Sequence, residues 1–328
     1  MNDHEILDFQ PCMFMRCGHR QTVLGTTLPG GRFPYRARPH TLQLSDGDVL
    51  VVHDDVPASW KETDGVALLV HGLGGDHRSG YMVRVAAKLN RCGVRVFRMD
   101  QRGCGAAQWL SAQPAHAGRS DDIAEVLDWV ETCCPRAPLT LVGFSLGGNA
   151  VLKLAGEHAV PGGGNLRSVL AVAPPIDLAY CAENLARPQR RFYDRRFVRK
   201  LCRQVRLRSR RVTAASGLDP GVQPRSVLEF DDCYTAPVSG FQDAGDYYAR
   251  SSAGPLLKSI EVNTRILVAE DDPVVPVEIF SEVPVSEHVD LFKTRHGGHL
   301  GYLGVRGVDS DRRWMDWRIV DWITSASA

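Results

Sequence analysis

The sequence predicts an α/β protein: a mostly parallel central sheet with helices on both faces and a mainly helical lid inserted into it. Three observations carry this. From Val66 to Ala173, short apolar runs rich in β-formers alternate with stretches of helical periodicity, the pattern of parallel strands joined by crossover helices. After Pro174 and Pro175, about 85 residues pass without a strand-like core run before Arg265–Ala269 resumes the sheet, too long an excursion for an ordinary loop. Third, in LTLVGFSLGGNAVLKLAG, residues 139–156, strand passes to helix with almost no loop between them.

In chain order, residues 1–38 form a mixed arm interrupted by Pro and Gly. His40–Leu44 and Val49–Asp54 flank SDGD and read as a β-hairpin. Val66–Val70 is a strand, Ser79–Arg91 a helix, Val94–Met99 a strand and Asp121–Cys133 a helix. Leu139–Phe144, uniformly apolar, reads as a strand buried on both faces. Leu146, Ala150 and Leu154, with Val151 and Ala155, then recur at helical spacing through Glu157. Leu166–Ala173 is a strand. Residues 176–255 form the expected lid, placed over the carboxyl ends of the strands where α/β sheets bind ligands. Residues 39–175 and 256–328 form the expected core. In the latter, Ile279 lies at one end of a short helical piece, Val289–Phe292 is the last strand, and Asp311–Thr324 a terminal helix. There are no internal repeats.

Composition narrows the class. At 328 residues the chain can bury roughly 75% of its unfolded surface, enough for a full core without covalent staples. A net charge of +1 argues against a whole-protein nucleic-acid or membrane role. Nine cysteines, an odd number with no CxxC pair, some inside apolar runs such as Cys92 and Cys202, read as buried free thiols of a reducing compartment. MNDHEILDFQPCMF lacks a basic n-region followed by an apolar h-region, and no apolar run reaches the roughly 18 residues of a membrane helix. The expectation is a soluble, cytoplasmic protein. One strongly charged segment stands out: residues 187–211 hold twelve basic residues against one acid, Asp194, with Val198, Leu201 and Val205 on one helical face. A solvated lid face is the first reading, and contact with an anionic surface or acidic substrate the second. Nucleic-acid binding is the least supported, because no aromatic platform or known motif accompanies the charge.

The chemistry centres on Ser145. A serine between a strand and a helix that meet directly must take strained backbone angles. Gly143 and Gly147 remove the side chains that would collide there, and Gly148 adds room. This G-x-S-x-G elbow exposes the hydroxyl and sets the Leu146 amide at a helix N-terminus. The hydroxyl needs a base, and the base an acid to orient it; in chains that carry this elbow motif the two follow the serine as Asp or Glu, then His. RILVAEDDPVVP supplies Asp271 and Asp272 at a strand's carboxyl end, and FKTRHGGHLGYLG supplies His296 and His299 after the last strand. Asp272 is the expected acid because the common pattern sets it four residues before a proline, here Pro276. After the Val66–Val70 strand, HGLGG brings the Leu73 amide, which with that of Leu146 would form an oxyanion hole; losing one such donor costs on the order of 3 kcal/mol. His71, Phe144 and Tyr302 flank these motifs and are expected to line the substrate pocket. No metal site is expected. His116 and Asp121 match an H-x-x-x-x-D spacing, but Ser120-Asp121-Asp122 reads better as a helix start with acids facing the helix dipole.

With these pieces in place the chain resembles the α/β-hydrolase superfamily, and within it the YheT-like serine esterases related to the ABHD-type lipid hydrolases. FQPCMFMRCGHRQTVLG, HGLGG, MDQRGCG, GFSLGGN, EFDDCYTAPVSGFQDAGDYYARSS, EDDPVVP and GGHLGY follow in that family's order over nearly the whole chain. The EFDD segment is the most specific, and Tyr247 and Tyr248 within it read as packing residues near or beneath the pocket. The resemblance selects His299 over His296, through the G-H-x-G context. It also implies ester or lipid hydrolysis without a metal or organic cofactor.

The expected function is therefore a serine hydrolase that cleaves short- to medium-chain acyl or lipid esters through Ser145, His299 and Asp272 and an acyl-enzyme. A thioesterase or acyltransferase would use the same parts. Dehalogenases and the usual epoxide hydrolases carry Asp at the elbow and fit less well. A hydrolase-fold protein that binds without turnover would be marked by a missing triad member, and none is missing. Peripheral contact of the basic lid with an anionic membrane is compatible with either reading.

Overall fold

The computed structural model describes residues 7–28, 33–157, 164–213, 217–219 and 221–325. Residues 1–6 and 29–32 of the arm, and 214–216 and 220 of the 176–255 segment, lie outside the described residues. An eight-stranded sheet is the frame. The strands are β1 (Arg38–Gln43), β2 (Val49–Asp55), β3 (Val66–Val70), β4 (Arg95–Asp100), β5 (Leu139–Phe144), β6 (Leu166–Val172), β7 (Asn263–Ala269) and β8 (Val289–Thr294). They lie in the order β1-β2-β4-β3-β5-β6-β7-β8. The six from β4 to β8 are parallel to one another, and β2 runs antiparallel to both β1 and β4. The mostly parallel sheet with helices is the expected one.

Alternation along each strand explains the core. Val66, Leu68 and Val70 of β3 point into one hydrophobic cluster, Ala67 and Leu69 into another, and all five are buried. The first face is covered by helices α3 (Ser120–Cys133) and α4 (Leu146–Glu157), the second by α2 (Gly80–Arg91) and the terminal α10 (Trp314–Ser325). Two features depart from expectation. The arm contains a ten-residue helix, α1 (Gly18–Thr27), that the mixed Pro and Gly pattern concealed. Cys92, at the C-terminal end of α2, is exposed rather than buried, whereas Cys202 is buried; all nine cysteines are free thiols.

Between β6 and β7 the described chain is helical: α5 (Leu178–Ala186), α6 (Arg191–Arg208), α7 (Val227–Phe230), a π-helical turn at Asp231–Thr235, α8 (Ala236–Val238) and α9 (Ala244–Ser251). In α6, Val198, Cys202 and Val205 are buried while Arg191, Arg195, Arg199 and Arg203 face out, so the basic residues form a true amphipathic helix. No helix among the described residues is long and apolar enough to cross a membrane.

One buried ionic group ties the second face together. Asp316 of α10, fully buried, accepts hydrogen bonds from Arg84 (Nε at 2.8 Å) and Lys88 (Nζ at 3.1 Å) of α2, both buried as well. Removing the carboxylate strands the Arg84 guanidinium in a low-dielectric interior and leaves Lys88 with Asp311 alone, at 2.9 Å, which is far worse than never having built the group. Asp316→Leu is therefore expected to lower unfolding free energy by about 3–5 kcal/mol in urea denaturation.

Candidate active site

The site begins with a turn that has no slack. β5 ends at Phe144, α4 begins at Leu146, and Ser145 between them sits at φ +52°. That left-handed conformation costs a non-glycine residue roughly 1–2 kcal/mol and persists only where its surroundings enforce it. A Cβ on Gly147 would lie 2.5 Å from the His71 carbonyl oxygen, and one on Gly143 would overlap the Gly147 carbonyl. The Ser145 N–H donates to the Val172 carbonyl at 2.8 Å, and its carbonyl accepts from the Asn149 N–H at 3.1 Å. Strands β5 and β6 and helix α4 thus hold the serine from three sides.

Two loops at the same sheet edge bring in the partners. Ser145 Oγ is 2.9 Å from His299 Nε2, and His299 Nδ1 is 2.8 Å from Asp272 Oδ2. The other Asp272 oxygen accepts the Val274 and Val275 N–H groups at 2.7 and 3.0 Å, which fixes the carboxylate's plane. An ionised carboxylate only accepts, so the His299 proton belongs on Nδ1 and Nε2 is left to accept from the serine hydroxyl. The neighbouring Asp271 points elsewhere: it accepts from the Gly298 N–H at 2.8 Å and faces His296 Nδ1 at 3.4 Å.

Leu73 and Leu146 both border the cavity that contains Ser145, and neither amide has an acceptor among the described residues. Leu146 opens α4, so its N–H has no intrahelical partner. The Leu73 loop is held at several points. Gln101 Nε2 donates to the His71 carbonyl at 2.8 Å, the Gly72 N–H donates to Tyr81 Oη at 3.0 Å, and the His77 N–H donates to Asp100. Asp100 also receives His53 Nε2 at 3.0 Å and His77 Nδ1 at 2.6 Å, with the two imidazoles stacked 3.6 Å apart. These three side chains are the one group among the described residues whose donor atoms converge closely enough for a metal ion. Their hydrogen bonding is complete without one, because Tyr35 Oη lies 2.6 Å from His53 Nδ1 and Arg78 Nε donates to His77 Nε2 at 3.2 Å.

Ser145 borders two cavities. One, of about 300 Å³, opens outward between Val23, Tyr193, Arg196, Lys200 and His299. The other, of about 80 Å³, is apolar and runs beneath Leu178, Cys181, Leu185 and Val227, with Asp231 and Tyr248 also in its wall. A third of about 60 Å³ lies beyond the Leu73 loop, and His71 lines it. Burial depresses the His71 pKa, so its imidazole is neutral there. Phe144 and Tyr302 are corrected: both are fully buried in the core cluster under α2 and α10. Phe144 packs on Tyr81, and Tyr302 is wedged between Phe9 and Trp314, because their backbone directions carry the rings into the core instead of to the sheet edge.

Two groups were missed as site residues. Asp231, in the π-helical turn of the EFDD segment, accepts from Thr235 Oγ1 at 2.7 Å and Tyr248 Oη at 2.8 Å and borders both smaller cavities. The specificity of that segment was the available signal. Thr22 of α1, whose Oγ1 accepts the His299 N–H at 2.8 Å, left only a faint one, a GxxQTxxG spacing of small and polar residues.

Residues 66–304 match a family model described as alpha/beta hydrolase fold. By sequence the chain is similar to "Putative esterase YheT" of Escherichia coli (strain K12), 31% identical over 314 residues, covering 89% of this chain and 85% of that one. It is similar to phospholipase ABHD3 of Homo sapiens at 23% identity, covering 90% and 73% of the two chains. Similarity extends to medium-chain fatty acid ethyl ester synthase/esterase 2 of Saccharomyces cerevisiae (strain ATCC 204508 / S288c), at 26% over 82% of this chain and 63% of that protein. Among solved structures, 2,6-dihydroxy-pseudo-oxynicotine hydrolase superposes with a TM-score of 0.58 at 17% identity, covering 94% and 74%. Est1E from Butyrivibrio proteoclasticus with bound ferulic acid gives 0.55 at 15%, covering 88% and 98%. At these identities the structural likenesses bear on the fold alone.

Burial with no facing cation raises the Asp231 pKa to about 6. A carboxyl whose folded pKa exceeds its unfolded value contributes stability that is present below the unfolded pKa and is lost as pH rises through the folded one. Asp231→Asn is therefore expected to gain stability relative to wild type between about pH 4 and pH 8, by roughly 2 kcal/mol, in denaturation curves recorded at both ends.

Proposed function

The chain belongs to the α/β-hydrolase family, in its YheT-like branch, and is a carboxylic ester hydrolase; from that premise we propose that Ser145, His299 and Asp272 carry the reaction as a catalytic triad. The supporting observation is the unbroken hydrogen-bonded chain from Ser145 Oγ through His299 to Asp272, at 2.9 and 2.8 Å. As the Ser145 oxygen attacks the acyl carbon, its proton passes to His299 Nε2, and Asp272 stabilises the imidazolium through Nδ1. Charge develops on the former carbonyl oxygen, where the Leu73 and Leu146 N–H groups would receive it; each such donor is worth on the order of 3 kcal/mol. Collapse breaks the bond to the alcohol, which leaves with the proton from Nε2. Water then attacks the acyl-enzyme by the same route, giving its proton to His299; as the acyl–Oγ bond breaks and the carboxylic acid leaves, His299 returns that proton to Ser145 Oγ.

The two cavities flanking Ser145 suit the two halves of an ester. The apolar one takes the acyl chain, and Asp231 and Tyr248 in its wall limit how deep an alkyl group can run, which favours short to medium chains. The open one takes the alcohol. Residues 176–255 act as the lid, since α5, α6 and α7 all contribute walls to these cavities. On the outer face of α6 the exposed arginines surround Phe192, 61% exposed, and this combination suits peripheral contact with an anionic membrane beside the mouth of the site.

Hydrolysis of a p-nitrophenyl ester series from acetate to palmitate tests the triad. Activity should peak at short or medium chains and fall in Ser145→Ala by a factor of at least about 10³. A fluorophosphonate should label the wild type and not the variant. An Ser145→Ala enzyme that keeps its rate would sink the proposal. Separately, co-sedimentation with phosphatidylserine vesicles should fall when Arg191, Arg195 and Arg199 are changed to Gln. Equal binding to neutral vesicles removes the membrane reading.

A further inference from the structure

Helix α1 is unusual in what it buries. A helix docked by the hydrophobic effect turns apolar residues inward at helical spacing. α1 turns in Gly18, Gln21, Thr22 and Gly25, while Val23 and Leu24 are only partly covered. Its seat is the pair of loops that carry Asp272 and His299. A Cβ on Gly18 would overlap the Asp271 carbonyl, and one on Gly25 would stand 2.5 Å from Gly301 Cα. The loop's own Gly298 and Gly301 meet the α1 backbone at Gly18 and Gln21 just as closely. Backbone is packed on backbone, with no side chain between to absorb displacement.

Hydrogen bonds then fix the register. Thr22 Oγ1 donates to the Gly18 carbonyl at 2.7 Å and accepts the His299 N–H at 2.8 Å. The Gln21 side chain accepts the Leu303 N–H at 2.7 Å and donates to the Leu303 carbonyl at 3.3 Å. Between these anchors the loop is strained: Leu300 and Tyr302, neither of them glycine, have positive φ, at 58° and 43°. Such conformations cost about 1–3 kcal/mol each and survive only when neighbouring structure over-determines them.

We propose that α1 is part of the active site and that Thr22 is a positioning residue, holding the backbone of His299 so that its imidazole spans Ser145 and Asp272. The proposal rests on the triad reading above. It adds that this arm, which lies outside the matched residues 66–304, sets the geometry of the base. The imidazole must take the proton from Ser145 Oγ and then hand it to the leaving alcohol, and a misplacement of about 1 Å in such a site can cost 10²-fold in rate. Thr22 and Val23 also border the outer cavity, so α1 forms its wall on the His299 side.

The test is Thr22→Val, which keeps the shape and removes the acceptor, beside Thr22→Ser, which keeps the acceptor. With folding checked by thermal melting, Thr22→Val should lower kcat by about tenfold or more, leave KM within about twofold, and slow fluorophosphonate labelling of Ser145 by the same factor. Thr22→Ser should return kcat to within about threefold of wild type. If Thr22→Val does not fold, Gly25→Ala, which pries α1 from Gly301, must show the same loss in kcat. A wild-type kcat in Thr22→Val or Gly25→Ala, a change confined to KM, or a Thr22→Ser enzyme as slow as Thr22→Val overturns the proposal. These outcomes are distinct from failure of the triad, which Ser145→Ala reports on its own: if that variant stays active, both readings fall together.

Discussion

Everything around Ser145 depends on one steric constraint, the closeness of α4 to the ends of β3 and β5. With no side chain at Gly143 or Gly147, the helix starts at Leu146, a single residue separating it from Phe144, and its first turn rests on the carbonyls of Val70 and His71. That approach forces Ser145 into the left-handed region, lifts its hydroxyl off the sheet, and leaves the Leu146 N–H without an intrahelical acceptor. Strain, a raised hydroxyl and an N–H without an intrahelical acceptor are three results of the same close contact. Relaxing the turn would lose all of them together.

The neighbours of a hydroxyl placed this firmly are themselves placed firmly, and the molecule holds them with buried polar groups instead of with more apolar surface. Asp272 is fixed by the amides of Val274 and Val275, and the loop carrying Leu73 by Gln101, Tyr81 and the Asp100 cluster. The acceptors and donors in these groups are matched, which is what makes burial tolerable and orientation unique. Asp231 differs from them. Its hydroxyl partners satisfy its oxygens but no cation faces it, so the carboxyl beneath the cavities is the one most exposed to the cost of carrying charge.

The sheet and the helical segment divide the labour around the substrate. The sheet edge presents Ser145, Asp272 and His299 beyond the ends of three strands, β5, β7 and β8, while α5, α6 and α7 shape the space above them. Because the hydrogen-bonded Ser145–His299–Asp272 chain belongs to one set of elements and most of the cavity walls to the other, the shape of the cavities can vary with the helical segment while that hydrogen-bonded geometry stays constant. α1 is the exception that touches both: it braces the His299 loop and walls the outer cavity.

What was legible in the sequence is what local physics dictates. Strands buried on both faces must be apolar throughout, crossover helices must be periodic, and a strand that turns straight into a helix around a serine must have glycines beside it. Those rules identify the sheet and the elbow, and they set Ser145, an aspartate pair and two histidines in that order along the chain; it was the resemblance that singled out His299. Tertiary structure decided the rest. Asp271 and Asp272 are equivalent in composition and position, and only the direction in which each side chain leaves the loop sends one to His299 and the other to Gly298. Phe144 and Tyr302 stand one or three residues from catalytic-type positions yet lie wholly in the core, because nearness along the chain does not specify depth. The helical state of α1 was not legible, since the helix is held by backbone contact and by the hydrogen bonds of Gln21 and Thr22. An interaction of that kind leaves no hydrophobic period to read, and its partners lie almost three hundred residues away in the chain.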